Sequence, residues 1–196
     1  MKRLLAFFLA LLLLTGCAAN APAEEPAAEE PTAESQSVPE AEAAEPAMLG
    51  SFSAQALTGE TVDQTYFANA DLTILNIWAT YCGPCKEEMP VLGELDRELE
   101  NVQVLGIVTD VIDQKGEPDA AQVELALELT EAFQCDYPNL ILNQSLAQLG
   151  FASLQAVPAT LFIDREGYLV GMGFYGSLDE DGWRQAIAER LEMTKS

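Results

Sequence analysis

From residue 52 onward, short apolar runs alternate with amphipathic stretches, and the spacing inside each predicts an element. Phe52 to Val62 holds two short apolar stretches on either side of Thr58-Gly59, the pattern of a small hairpin. Leu72 to Ala79, LTILNIWA, is a dense apolar run rich in β-branched and aromatic residues. Its length and composition fit a strand buried on both faces. Lys86 to Leu99 then places Met89, Leu92, Leu95 and Leu99 at spacings of three and four, which predicts an amphipathic helix. Pro90 lies inside it and is expected to kink it. Val102 to Val108 reads as a second buried strand, and Asp110 to Pro118 is polar and turn-rich. Asp119 to Phe133 predicts a helix with Asp119 at its start. Leu140 to Leu142 reads as a short strand, and Ser145 to Gly150 as a brief helix stopped by glycine. Ala159 to Ile163 and Tyr168 to Met172 flank Asp164-Arg165-Glu166-Gly167 as a β-hairpin, and Leu178 to Met193 closes the chain with a helix. Strands alternating with helices predict an α/β fold whose parallel strands are covered on both faces, and the last hairpin makes the central sheet mixed.

The first 47 residues follow other rules. Lys2 and Arg3 precede an apolar run from Leu4 to Leu14, and Leu14-Thr15-Gly16-Cys17 follows, the layout of a secretory signal. Residues 18–47 are built from Ala, Glu and Pro, with eight glutamates and no Lys, Arg or aromatic residue. Such a segment buries too little apolar surface to offset its ordering entropy, so a disordered acidic tether is expected. The organisation predicted is a leader over 1–17, a tether over 18–47 and a folded domain over 48–196. The whole chain carries 32 acidic against 9 basic residues, a formal charge of −23. That makes nucleic acid an unfavourable partner.

The stretch WATYCGPCKEEMP, Trp78 to Pro90, carries the chemistry. Its two cysteines, Cys82 and Cys85, fit a catalytic pair, a static disulfide or half of a metal site. The chain has no histidine and four cysteines, and with Cys17 set aside three remain, short of the four ligands of a structural zinc site. No metal is therefore expected. A static disulfide between residues so close closes a very small loop and restricts the unfolded chain little. The position favours the catalytic reading. Cys82 sits where a buried strand meets a helix, close to the free first-turn N–H groups and the positive end of the dipole, which favours thiolate over thiol. Cys85 lies one helical turn on, within reach of a disulfide to Cys82. Gly83 permits the tight turn, and Pro84 suits the first turn, where a missing N–H costs little.

Trp-Ala-x-x-Cys-Gly-Pro-Cys-Lys after a strand resembles the thioredoxin active site. Pro90 matches that family's helix-kinking proline, and Val157-Pro158-Ala159-Thr160 before a strand resembles its cis-proline loop. The resemblance spans roughly residues 50 to 193 and implies a thioredoxin-like fold: a central mixed β-sheet flanked by helices, with an N-terminal hairpin and an inserted helix-strand segment. It implies that Pro158 is cis, faces the dithiol and binds substrate backbone, with Val157, Gly83, Pro84, Trp78 and Tyr81 completing the shell. Leu-Thr-Gly-Cys resembles the lipobox of bacterial lipoproteins, which makes Cys17 the lipidated N-terminus and places the protein outside the cytoplasmic membrane, anchored to it. The anchor, the hairpin and the insertion resemble TlpA- and ResA-like thiol-disulfide oxidoreductases. That branch implies protein disulfide substrates such as apocytochrome c, a membrane electron donor of the CcdA or DsbD type, and no cofactor beyond the Cys82–Cys85 disulfide.

Some positions depart from the family. Asn76 stands where thioredoxin has a buried Asp, Gly106 where it has a nearby Lys, and Gln55 near where ResA-like proteins carry an active-site Glu. Tyr81 replaces a frequent Trp. Glu87 and Glu88, early in the helix, are expected to complement its dipole. Cys135 is expected to be a buried small hydrophobe, and Trp183 to be core. Two other functions remain open: a thioredoxin-fold peroxidase of the peroxiredoxin kind, and a redox-inert binding lipoprotein.

Overall fold

The computed structural model describes residues 47–195. The expected leader with Cys17, and the acidic segment up to Pro46, lie outside the described residues, as does Ser196. Ala47, assigned above to the tether, is already joined to the folded body: its carbonyl accepts the Leu169 N–H at 2.8 Å. Among the described residues no helix is long and apolar enough to cross a membrane.

The expected N-terminal hairpin is present as β1 (Ser53–Gln55) and β2 (Thr61–Asp63), paired antiparallel as a sheet of their own. The main sheet has five strands: β3 (Leu72–Trp78), β4 (Val102–Val108), β5 (Asn139–Ile141), β6 (Ala159–Asp164) and β7 (Phe174–Tyr175). Their order is β5-β4-β3-β6-β7. β3, β4 and β5 run parallel, and β6 and β7 join antiparallel, so the sheet is mixed as expected. Every residue of β3 is buried, which explains why its sequence is apolar without alternation.

Four helices follow the predicted pattern: α1 (Gly83–Glu98), α2 (Ala120–Ala132), α3 (Gln144–Gln148) and α4 (Glu180–Met193). α1 starts at Gly83 with Cys82 as its cap and Pro84 in its first turn, as expected, three residues before the apolar stripe read from Lys86. It runs on through Pro90 to Glu98.

The two faces of the sheet are covered unequally. Leu72, Ile74 and Trp78 of β3 pack with Met89, Leu92 and Leu95 of α1 and with Trp183 and Ile187 of α4. Leu75 and Ile77 point the other way, against Phe52 and Val62 of the hairpin, Phe67 and Phe151 of two 3-10 turns, and Leu146 of α3. The alternation along β3 is thus between two cores, and burying each large apolar side chain contributes roughly 1.5–3 kcal/mol. The hairpin also covers one sheet edge, since Ala56 bridges Leu140 of β5.

One expected strand is displaced. Tyr168 to Met172 forms isolated bridges, Met48 to Tyr168 and Ile163 to Leu169, and regular pairing with β6 resumes at Phe174–Tyr175. Four residues lie between Leu169 and Phe174, but only two between their partners Ile163 and Thr160, so the returning chain must bulge. Gly171, at φ +66°, lies in that bulge.

Candidate active site

β3 ends at Trp78, and the turn Ala79–Tyr81 delivers Cys82 to the start of α1. Both ends of the turn are fixed. The Trp78 carbonyl accepts from Thr109 N and Oγ1 at 3.0 and 3.1 Å, and Cys82 N donates to the Ala79 carbonyl at 3.0 Å. Cys82 has extended backbone, φ −78° and ψ 108°, and caps the helix with its sulfur: Sγ accepts from Cys85 N at 3.2 Å. Pro84 occupies the first turn, where no N–H is needed. Cys82 and Cys85 form a disulfide with their Cα atoms 5.4 Å apart. Cys82 is 5% exposed and Cys85 0%, so Cys82 is the more accessible residue of the pair.

The Val157–Pro158 peptide is cis, and the Pro158 carbonyl accepts from Gly176 N at 2.9 Å. Ala159 pairs with Ile77, which sets Pro158 beside the end of β3 that leads to Cys82. Val157 and Tyr81 line one cleft of about 420 Å³, with Asp110, Ile112, Phe151 and Leu154. Tyr81 stands at its rim, 75% exposed. Trp78, expected in the substrate shell, is wholly buried and serves from beneath: its Nε1 donates to Asn139 Oδ1 at 2.8 Å. A larger cavity, about 660 Å³, lies against α2 and residues 135–139; neither lining contains Cys82 or Cys85, and it is Tyr81 that brings the smaller cleft next to Cys82 in the chain.

Glu88 corrects an expectation. It does not stand in solvent beside the helix start; it is buried, one turn past Cys85 on the inner face of α1. Its Oε1 accepts from Asn76 Nδ2 at 3.0 Å and its Oε2 from Leu178 N at 3.4 Å. Burial pushes the carboxyl up to about 7, against the lowering pull of the Asn76 and Leu178 donors and the nearby Trp183 indole. A signal was present in the sequence: Cys85, Glu88, Leu92 and Leu95 continue one stripe at helical spacing. Gln55 lies exposed on β1, where its Nε2 donates to the Gly59 carbonyl. Gly106 leaves room for the Asn139 side chain; a Cβ there would collide with Asn139 Oδ1, the acceptor of the Trp78 indole. Among the described residues no three acidic or thiol groups converge as a metal site would need.

Residues 46–172 match the AhpC/TSA family. The chain belongs to that family. Similarity is found to the thiol:disulfide interchange protein DsbE of Pseudomonas fluorescens biotype C, 30% identical over 119 residues. Those residues are 61% of this chain and 60% of the relative. Similarity is also found to the thiol-disulfide oxidoreductase ResA of Halalkalibacterium halodurans, 23% identical over 142 residues, 71% of this chain and 70% of that one. The chain thus spans about 60% of the length of the DsbE relative. Among solved structures, a thioredoxin-family thiol:disulfide interchange protein of Chlorobium tepidum TLS aligns with a TM-score of 0.62 at 18% identity, over 76% of this chain and 98% of that one. The exposed lipoprotein thioredoxin Etrx1 of Streptococcus pneumoniae TIGR4 aligns with a TM-score of 0.56 at 23% identity, over 71% of this chain and 99% of that one. The fold is thioredoxin-like, as the motifs implied.

In this AhpC/TSA chain the third described cysteine stands apart from the disulfide. Cys135 is buried, its Sγ donates to the Met89 carbonyl at 3.9 Å, and burial pushes its thiol up to about 11. A thiol held protonated is a poor nucleophile. Trp183 is wholly buried, as expected of core.

Proposed function

We propose that this chain is an extracytoplasmic, lipid-anchored thiol-disulfide oxidoreductase that reduces disulfides in exported proteins. The observation that carries the reading is the Cys82–Cys85 disulfide at the start of α1, with Cys82 capping the helix and the more accessible of the two. In the reduced protein the Cys82 thiolate attacks one sulfur of a substrate disulfide. A Cys82–substrate bond forms, and the other substrate sulfur leaves as thiolate and takes a proton. Cys85 then loses its proton and attacks Cys82 Sγ. The Cys82–Cys85 bond forms, the mixed disulfide breaks, and the substrate departs as a dithiol, two electrons richer. The inner proton needs an acceptor. Glu88, one turn past Cys85 on the same buried face and titrating at about 7, is the group we assign to it. Val157 and Tyr81, which line the cleft, and Pro158 beside it are assigned to hold the substrate chain; Gly83 and Pro84 shape the turn.

The names of the DsbE and ResA relatives support the reaction class. Leu14-Thr15-Gly16-Cys17 supports lipidation at Cys17, and the lipoprotein Etrx1 is a precedent of the same fold. Electrons would come from a membrane donor of the CcdA or DsbD type. The test is the reduction potential of the Cys82–Cys85 pair, by equilibration with thiol buffers and mass-spectrometric readout. A value near or below the roughly −270 mV of thioredoxin is expected; one near the roughly −120 mV of DsbA would make the protein an oxidant. Cys82→Ser should abolish exchange, and peroxide should be turned over no faster than by a free thiol. A pair that never exchanges would return the disulfide to a static role.

A further inference from the structure

The middle of the Ala79–Tyr81 turn is held by two side chains. Asp110, just past β4, grips Thr80 three ways: Thr80 N donates to Oδ1 at 2.9 Å and to Oδ2 at 3.0 Å, and Thr80 Oγ1 donates to Oδ2 at 2.6 Å. From the other side Lys86 Nζ donates to the Thr80 carbonyl at 3.1 Å. A carboxylate and an ammonium thus hold the two peptide groups that flank one residue. Thr80 itself is buried at 7% exposure. Its N–H and hydroxyl are largely screened from water, so loss of Asp110 leaves two poorly solvated donors unmatched and favours a shift of the turn to find partners. Two residues downstream that turn carries Cys82, whose sulfur must lie over the first N–H groups of α1 to be stabilised as thiolate.

We propose that Asp110 is a positioning residue for the attack by Cys82, acting through Thr80 to aim the sulfur at the start of α1. The inference rests on reading Cys82 as the attacking thiol. Asp110 touches neither cysteine in the hydrogen bonds described above. Its carboxylate charge alone would act in the opposite direction, because a negative group near the site disfavours a second negative charge on sulfur. Geometry and charge therefore predict opposite signs, and one experiment separates them.

The full-length protein is reduced and alkylated with iodoacetamide across a pH series, and Cys82 modification is followed peptide by peptide with mass spectrometry. Asp110→Ala should slow the reaction about tenfold near neutral pH and move its pH midpoint upward. Asp110→Asn should stay within about threefold of the unsubstituted protein, because an amide still accepts from Thr80 N and can donate to the Thr80 hydroxyl. Thr80→Val, which removes only the hydroxyl contact, should fall between the two and carries the test if Asp110→Ala fails to fold. The double variant Asp110→Ala, Thr80→Val should be no slower than Asp110→Ala alone, since both act through one contact. Equal acceleration in Asp110→Ala and Asp110→Asn would assign the effect to charge and overturn the proposal. So would an unmoved midpoint beside a lowered melting temperature, which would leave Asp110 a purely structural contact. An inert Cys82 in the unsubstituted protein would overturn the attacking-thiol reading, and the positioning role with it.

Discussion

At the scale of single residues, Glu88 is where opposing effects are largest. Desolvation favours its neutral form, and the Asn76 and Leu178 donors with the nearby Trp183 indole favour the charged form; desolvation wins and the carboxyl titrates at about 7 instead of 4.5. Because the folded value lies above the unfolded one, the native state binds the extra proton, and stability falls as pH rises through that window and is level above it. Glu88→Gln removes this slope. Denaturant titrations from about pH 4 to pH 8 should show the unsubstituted protein losing roughly 3 kcal/mol relative to the variant; parallel curves would mean that Glu88 stays ionised. Gly106 gives a second prediction. A methyl there displaces Asn139 Oδ1 from the Trp78 indole, so Gly106→Ala should cost about 2–3 kcal/mol by urea unfolding. Cys82, Cys85 and Pro158 were legible because a motif names them. Glu88 was harder to read: its place in the stripe of Cys85, Leu92 and Leu95 pointed inward, but an acidic residue near a helix start is satisfied equally by the dipole.

At the scale of elements, the period of the apolar residues located every long helix and buried strand, because each of those segments buries a complete stripe or run. The ends were set by chemistry the period does not contain. Asp119 is an ordinary cap, its Oδ1 accepting from Ala121 N at 3.0 Å and Gln122 N at 3.2 Å, and the sequence shows it plainly. Asp119→Ala should lower stability by about 1 kcal/mol, read from the urea midpoint at unchanged slope. Cys82 is an unusual cap, a sulfur accepting one N–H, so α1 begins earlier than its apolar stripe. The displaced β7 is a matter of counting across a hairpin, and the two surplus residues near Gly171 became evident once both partners were known.

At the scale of the whole molecule, the formal charge of −23 sets the long-range field. Eight glutamates and two basic residues precede residue 48, so most of that charge belongs to the folded part. A basic disulfide peptide should therefore be reduced faster than a neutral one at low ionic strength. The advantage should fade as salt is raised past the point where the screening length shrinks to about 10 Å, which is near 0.1 M. Stopped-flow rates at two salt concentrations measure it; equal salt dependence for both peptides would show that the field around Cys82 is neutral. The polarity of the strands has a further result. Leu169 N donates to the Ala47 carbonyl and Leu49 N to that of Gly167, at the end of the sheet where Asp164 pairs with Leu72. Cys82 follows the other end, where Ala159 pairs with Ile77, about 20 Å away along β3. The chain therefore enters the body at one pole and presents its sulfur at the other. A bead or fusion partner joined directly at Ala47 therefore grips the end of the body opposite the dithiol and leaves the Cys82 end clear.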